Sequence, residues 1–194
     1  MKYAKAIALL CLFVVSSLHA QETETPVIQT EQETITYKMN QKGDQFIALK
    51  LDVNIPYRPF ENLKVGGSGS LGYHHFLTSE FTIGGNVSFA YTTTIGSNVF
   101  YFVPFMFTAS YQFTAGKFEI PISLEIGGAL QNYLDRTYFG LAVRPEIAAY
   151  YRYSPDWSFG IQTGVYILPQ WYSNSEYNYT GIIQDVGLSV RYHF

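Results

Sequence analysis

The 194 residues include 12 Lys and Arg against 15 Asp and Glu, with 47% hydrophobic, 18% aromatic and only 14% charged side chains. That length suits one domain, the aromatic share excludes a disordered chain, and a net charge of −3 excludes an electrostatic binder of nucleic acid. The mean hydropathy is +0.02, yet beyond residue 20 no stretch approaches the roughly 18 apolar residues of a membrane helix.

Residues 1–20 read as a secretory signal: Lys2 and Lys5, an apolar run from Ala6 to Val15, then a small-residue cleavage site ending at Ala20. Cys11 lies inside it, so the mature chain has no thiol and no disulfide framework. Loss of Lys2 and Lys5 leaves 10 basic against 15 acidic residues. Residues 21–43 form an acidic leader with Glu22, Glu24, Glu31 and Glu33, mostly disordered. The alternation of Ile35, Tyr37 and Met39 allows a short extra strand within it.

From residue 44 to 194 the sequence alternates with period 2, breaks at a turn and resumes, eight times. The pattern predicts strands over 45–55, 63–77, 81–93, 99–113, 117–130, 138–153, 157–171 and 181–194. In the first, Ile47, Leu49, Leu51, Val53 and Ile55 share one face, with Phe46, Ala48, Lys50, Asp52 and Asn54 on the other. Such strands exceed the usual 5–6 residues of about 17–20 Å and match the roughly 9–11 tilted residues that cross a bilayer. The connections 78–80, 114–116 and 154–156 are tight, whereas 56–62, 94–98, 131–137 and 172–180 are longer, a habit of outer-membrane barrels.

Residue identity decides which face is outside. The apolar face holds no Asp, Glu, Lys or Arg, as lipid contact demands. The opposite face is small, with Gly66, Ser68, Ser70, Gly72, Gly84, Ser88, Ala90, Gly140, Ala142, Gly160, Gly164, Gly187 and Ser189. Small side chains fit the interior of an eight-stranded barrel, and closure satisfies the backbone within hydrocarbon. Aromatic residues gather at both ends of the strands. Tyr57, Phe60, Tyr101, Tyr138, Phe139, Trp171 and Tyr172 lie toward the long-loop rim. Phe81, Tyr111, Phe113, Phe118, Tyr151, Tyr153, Trp157, Tyr192 and Phe194 lie toward the short-turn rim. The expectation is an all-β fold: a closed, antiparallel, up-and-down transmembrane β-barrel of eight strands, spanning 44–194, with both termini on the periplasmic, short-turn rim.

The last strand, Gly187-Leu188-Ser189-Val190-Arg191-Tyr192-His193-Phe194, resembles the C-terminal assembly signal of bacterial outer-membrane barrels, with Gly187, Val190, Tyr192 and the final Phe194 as its marks. In architecture, residues 44–194 look like the small OmpA-like, OmpX-like and OmpW-like barrels. The resemblance implies a bacterial outer-membrane location and the barrel-assembly machinery and periplasmic chaperones as partners. It also implies contact with outer-membrane lipid and a lipopolysaccharide-type leaflet. Relative to OmpX-like and OmpA-like members the outer loops are short, which speaks against an adhesive role.

Counting from the short-turn rim places Lys50, Asp52, Glu125, Arg144, Glu146 and Asp185 at middle depth inside the barrel, with Glu119, Arg152, Arg191 and His193 nearer that rim. Buried charges persist only when paired, so a lumen network of Arg144 and Lys50 against Glu125, Glu146, Asp52 and Asp185 is expected. It serves either as a structural plug or as a gate whose pairs exchange. No His–Ser–acid set falls at the outer rim, where His74, His75 and His193 are absent, so no catalytic residues are assigned. No spaced metal-ligand cluster exists. The glycine-rich Gly66-Gly67-Ser68-Gly69 opens no helix and reads as strand packing rather than a phosphate loop. The expected role is structural or surface-exposed and non-enzymatic, with no cofactor and no nucleic-acid partner. The alternative is a narrow porin-like or OmpW-like passive channel for ions or small apolar molecules.

Overall fold

The computed structural model describes residues 40–57, 63–94, 96, 98–133, 136–171 and 178–194. The expected signal, the expected leader through residue 39 and the aromatic residues Phe60 and Tyr172 lie outside the described residues. Eight strands follow in chain order: β1 (Gln45–Pro56), β2 (Gly66–Phe76), β3 (Phe81–Thr93), β4 (Val99–Ala115), β5 (Phe118–Tyr133), β6 (Arg136–Arg152), β7 (Trp157–Gln170) and β8 (Tyr179–His193). Each pairs antiparallel with its sequence neighbours, and β1 with β8 closes the barrel from Phe46↔His193 to Pro56↔Ile183. The seam reaches the last residue. Phe194 N–H donates to Gln45 O at 3.0 Å, and Gln45 N–H donates to Phe194 O at 3.2 Å.

Most strand ends lie within two residues of the pattern-based expectation, and two depart from it by three. The connection expected over 131–137 is much tighter, because β5 and β6 stay paired through Asn132↔Thr137 and Tyr133↔Arg136. Asn132 and Thr137 add a side-chain bond of 3.0 Å there. The second strand begins at Gly66 rather than 63, since its register with β1 ends at Asn54↔Gly66. Leu63 forms an isolated bridge with Thr94, just beyond the end of β3. At the short-turn rim, Ala115 pairs Phe118 across Gly116, whose φ of 60° is a conformation glycine adopts at little cost.

The alternation resolves into two faces. On β1, Leu49, Leu51 and Val53 are 52%, 65% and 50% exposed, whereas Phe46, Ala48 and Lys50 are buried. Ile122, Ile161, Val186 and Leu188 continue the outer belt, and Phe81, Tyr111, Phe113, Phe118, Tyr151, Tyr153, Trp157, Tyr192 and Phe194 are exposed along the short-turn rim. Trp157 and Tyr192 pack with ring centroids 4.9 Å apart on that rim.

The inner face is not uniformly small. Phe46, Phe76, Phe100, Phe102, Tyr150 and Tyr166 are buried inside as well, and the glycines are the seats they need. A Cβ on Gly160 would lie 2.6 Å from the Tyr150 ring, and one on Gly84 would lie 2.5 Å from the His74 ring. Large and small residues interlock across adjacent strands, which is how so narrow an interior fills.

If the belt faces hydrocarbon, Leu51→Arg at mid-strand should lower stability in lipid vesicles by about 2–4 kcal/mol. Tyr153→Arg at the rim should cost about 0–1 kcal/mol. Urea unfolding followed by tryptophan fluorescence measures both, and equal costs would contradict the depth assigned to the strands.

Candidate functional site: a layered lumen

Midway along the lumen five buried charges meet: Lys50 from β1, Glu125 from β5, Arg144 and Glu146 from β6, and Asp185 from β8. Period 2 aims 144 and 146 inward from one strand, and the register sets Glu125 directly opposite Arg144. Lys50 Nζ donates to Glu146 Oε1 at 2.9 Å and Oε2 at 2.6 Å, and lies 3.5 Å from Glu125 Oε1. Arg144 Nη1 pairs with Glu146 and, at 3.1 Å, with Glu125.

The same guanidinium reaches past β7 to Asp185 in bidentate fashion, Nε to Oδ2 at 2.9 Å and Nη2 to Oδ1 at 2.6 Å. The intervening residue is Gly164, which pairs with Glu146 on one side and Asp185 on the other. A Cβ on Gly164 would lie 2.8 Å from Arg144 Nε, so this glycine is the gap through which the bridge passes. Tyr166 covers the guanidinium at 5.1 Å from its ring centroid.

Three carboxylates against two cations leave an excess acceptor, and neutral donors meet it. Asn86 Nδ2 donates to Glu125 Oε1 at 2.7 Å and to Thr108 Oγ1 at 2.9 Å. Asp52, expected among the ion pairs, makes none among those described. It is half-buried and accepts a hydrogen bond from Gln162 Nε2 at 2.8 Å. It lies one inward position beyond Lys50, whose ammonium is already claimed by Glu146 and Glu125.

A second cluster fills the short-turn end. Glu119 lies 3.3 Å from Arg152 Nη1 and 3.8 Å from Arg191 Nη1. Arg191 is sandwiched between the rings of Phe46 at 4.6 Å and Tyr150 at 3.7 Å, and donates to Gln112 Oε1 at 3.1 Å. His193 Nε2 lies 2.6 Å from Arg152 Nη1 and 3.0 Å from Ser158 Oγ. Asn40, counted by composition within the leader, is buried here and hydrogen-bonded to Glu119 and Arg152. Ordered contacts therefore begin ahead of residue 44.

The long-loop half holds an apolar layer, with buried Asn54, Thr92, Gln131 and Gln170 toward the rim. Phe100, Phe102, Met106, Tyr166, Leu168 and Ile183 form a buried cluster with Ala90, Ala129 and Ala142. Phe102 and Tyr166 meet edge-to-face at 5.2 Å. The lumen is thus closed in series by a polar mouth, an ionic middle and an apolar upper layer.

The four positions expected to mark an assembly signal sit on and beside β8. Gly187 faces Asp52, where a Cβ would collide with Leu51 O and the Asp52 carboxylate. Val190 pairs with Leu49 and Phe159, and Tyr192 stacks with Phe194 at 6.1 Å. Sequence reasoning missed Asn86, Gln162, Tyr166 and Asn40. The first three were visible as polar or aromatic residues on the inward face of alternating strands; Asn40 has no such signal.

This fold and filled interior define a small barrel of the outer-membrane type. Neisserial surface protein A superposes with a TM-score of 0.64 at 9% identity, covering 78% of this chain and 99% of that one. The outer membrane protein OprG from Pseudomonas aeruginosa gives 0.54 at 8% identity over 80% of this chain and 98% of its own. Ail, the attachment invasion locus protein of Yersinia pestis, gives 0.52 at 9% identity over 79% and 100%. One protein-family model matches residues 23–192. An uncharacterized protein of Treponema pallidum (strain Nichols) is 36% identical over 189 residues, covering 88% of this chain and 86% of that protein. The chain belongs to the family of that treponemal protein.

Removing Arg144 strands Glu125, Glu146 and Asp185 with one cation. Arg144→Ala should therefore destabilise the barrel by about 3–5 kcal/mol. Asp52→Asn, which breaks no ion pair, should cost less than about 1 kcal/mol. Urea midpoints in vesicles test the contrast, and a larger loss for Asp52→Asn would refute this division of the lumen.

Proposed function

We propose that this protein is a structural, surface-presenting barrel of the bacterial outer membrane, with no catalytic role and a lumen that does not conduct. The observation that carries the reading is the succession of closures along the axis. An ion that exchanged partners with Arg144 and Lys50 would still meet Phe102, Tyr166, Leu168 and Ile183, all buried, in the upper layer. An apolar constriction is itself a barrier to ions, because they cannot shed water there without cost. The Ser158–His193 contact lends no support to hydrolysis. Ser158 is fully buried, and the facing group is the Arg152 guanidinium rather than an orienting carboxylate.

In this reading the short-turn rim and both termini face the periplasm, following the turn-length asymmetry of such barrels. The exposed aromatic edge around Tyr192 and Phe194 is offered to the barrel-assembly machinery after delivery by periplasmic chaperones. The opposite rim meets the lipopolysaccharide-type leaflet.

Reconstituted into planar bilayers, the protein should show no discrete conductance steps, and Arg144→Ala should show none either, since the apolar layer remains. Steps from the unmutated protein would favour the passive-channel alternative. Orientation is testable with single cysteines at Thr78, Ser154 and Asn98. In intact cells only the Asn98→Cys variant should react with an impermeant maleimide, and labelling of Thr78→Cys or Ser154→Cys would invert the topology.

A further inference from the structure

Residues 40–44 cross the short-turn mouth as a strap. Gly43 N–H donates to Phe76 O at 2.9 Å, Phe76 N–H donates to Asp44 O at 2.8 Å, and Gln41 N–H donates to Asp44 Oδ2 at 2.7 Å. Asn40 takes a φ of 58°, a left-handed conformation that asparagine tolerates better than most residues. The strap thereby turns the Asn40 side chain into the lumen, where it is only 3% exposed although it precedes the first strand.

The carboxamide is recognised at both ends. Its Nδ2 donates to Glu119 Oε1 at 2.9 Å, and its Oδ1 accepts from Arg152 Nη1 at 3.3 Å. A carboxylate in this place would face Glu119, and an ammonium would face Arg152. A primary carboxamide offers one donor and one acceptor on the same plane and suits both. Space lies on either side of it. A cavity of about 400 Å³ is lined by Asn40, Ser79, Glu80, Tyr111, Gln112 and Thr114, and another of about 320 Å³ by Asn40, Lys42, Leu77 and Thr78. In the wall of the first, Gln112 Nε2 is buried without a partner, a further donor beside the same site.

We infer that the Glu119–Arg152 pair is a carboxamide-binding site, filled in cis by Asn40, and that it accepts the primary amide of another molecule when Asn40 is withdrawn. The ligand class is an Asn or Gln side chain or a small primary amide, with the rest of the molecule lodged in the flanking cavities. The site does not depend on which rim faces the periplasm.

Ser158, fully buried behind Arg152 and His193, provides an isosteric reporter as Ser158→Cys in a Cys11→Ser background that is otherwise free of thiols. The chain is refolded into vesicles, its fold checked by heat-modified gel migration, and labelled with a small cationic methanethiosulfonate. Adding Asn40→Gly should raise the labelling rate roughly tenfold, the effect of losing hydrogen bonds to charged partners. Acetamide at high millimolar concentration should return the rate toward that of the parent, and acetate should not. An unchanged rate in Asn40→Gly overturns the inference, as does a raised rate that acetamide leaves untouched or that acetate lowers equally. Should Asn40→Gly fail to refold, Asn40→Asp keeps the side-chain volume while losing the donor, and slow labelling of that variant overturns it as well.

Discussion

Hydrocarbon supplies no hydrogen bonds, so every backbone N–H and C=O that enters it must find a partner within the chain. The pairing of β1 with β8 meets that condition, running from Phe46↔His193 to Pro56↔Ile183 and continuing to the terminal Phe194. Once the sheet is closed, each strand has one face toward acyl tails and one toward the axis. The apolar set must take the outer face because the interior of eight strands is too narrow to hold the forty large hydrophobes exposed among the described residues, while charges at mid-strand can only face the axis. Inversion of the soluble pattern is thus a consequence of closure in lipid.

The interior then faces the opposite problem, that of charges withdrawn from water. Desolvating an ion costs several kcal/mol unless geometry and extra hydrogen bonds compensate. Here two cations hold three carboxylates, with Arg144 bidentate on Asp185 and Asn86 completing Glu125. The network ties β6 to β1, β5 and β8, that is, to both strands of the closing seam. It depends on Gly164 having no side chain, which makes an uncharged residue on β7 as necessary as the charged ones. The apolar layer above it excludes water and so strengthens each pair by lowering the local dielectric.

The strands and their inward faces were legible because a period of 2 converts directly into geometry: Leu49 and Ile122 outside, Lys50 and Glu125 inside. Phe46 was equally visible, sitting on the same face as Lys50 and Asp52. Partner choice was not legible, since contacts across the lumen depend on strand tilt and stagger, which alternation does not encode. Asp52 shows the consequence, for depth alone grouped it with the ion pairs and the actual register gave it Gln162. The tight β5–β6 connection escaped because Gln131, Asn132 and Thr137 are polar and resemble loop, although they continue the ladder. Asn40 escaped for a different reason, because a side chain delivered by a turn before the first strand carries no periodic signature.

The comparisons separate two kinds of constraint. A superposition with TM-score 0.64 at 9% identity means that nearly the whole barrel can be rebuilt from other residues. On the outer face that is unsurprising, because lipid asks only that a side chain be apolar, and Leu, Ile, Val and Phe answer equally well. The lumen is less permissive: Arg144 requires Gly164 beside it, Tyr150 requires Gly160, and Asn40 requires both Glu119 and Arg152. Each of these is a joint choice of two or more positions on different strands, so a barrel can drift freely outside while its interior changes only in coordinated steps. What distinguishes this family from other eight-stranded barrels is therefore to be sought along the axis and at the mouth, where residue identity, and not merely polarity, decides the fit.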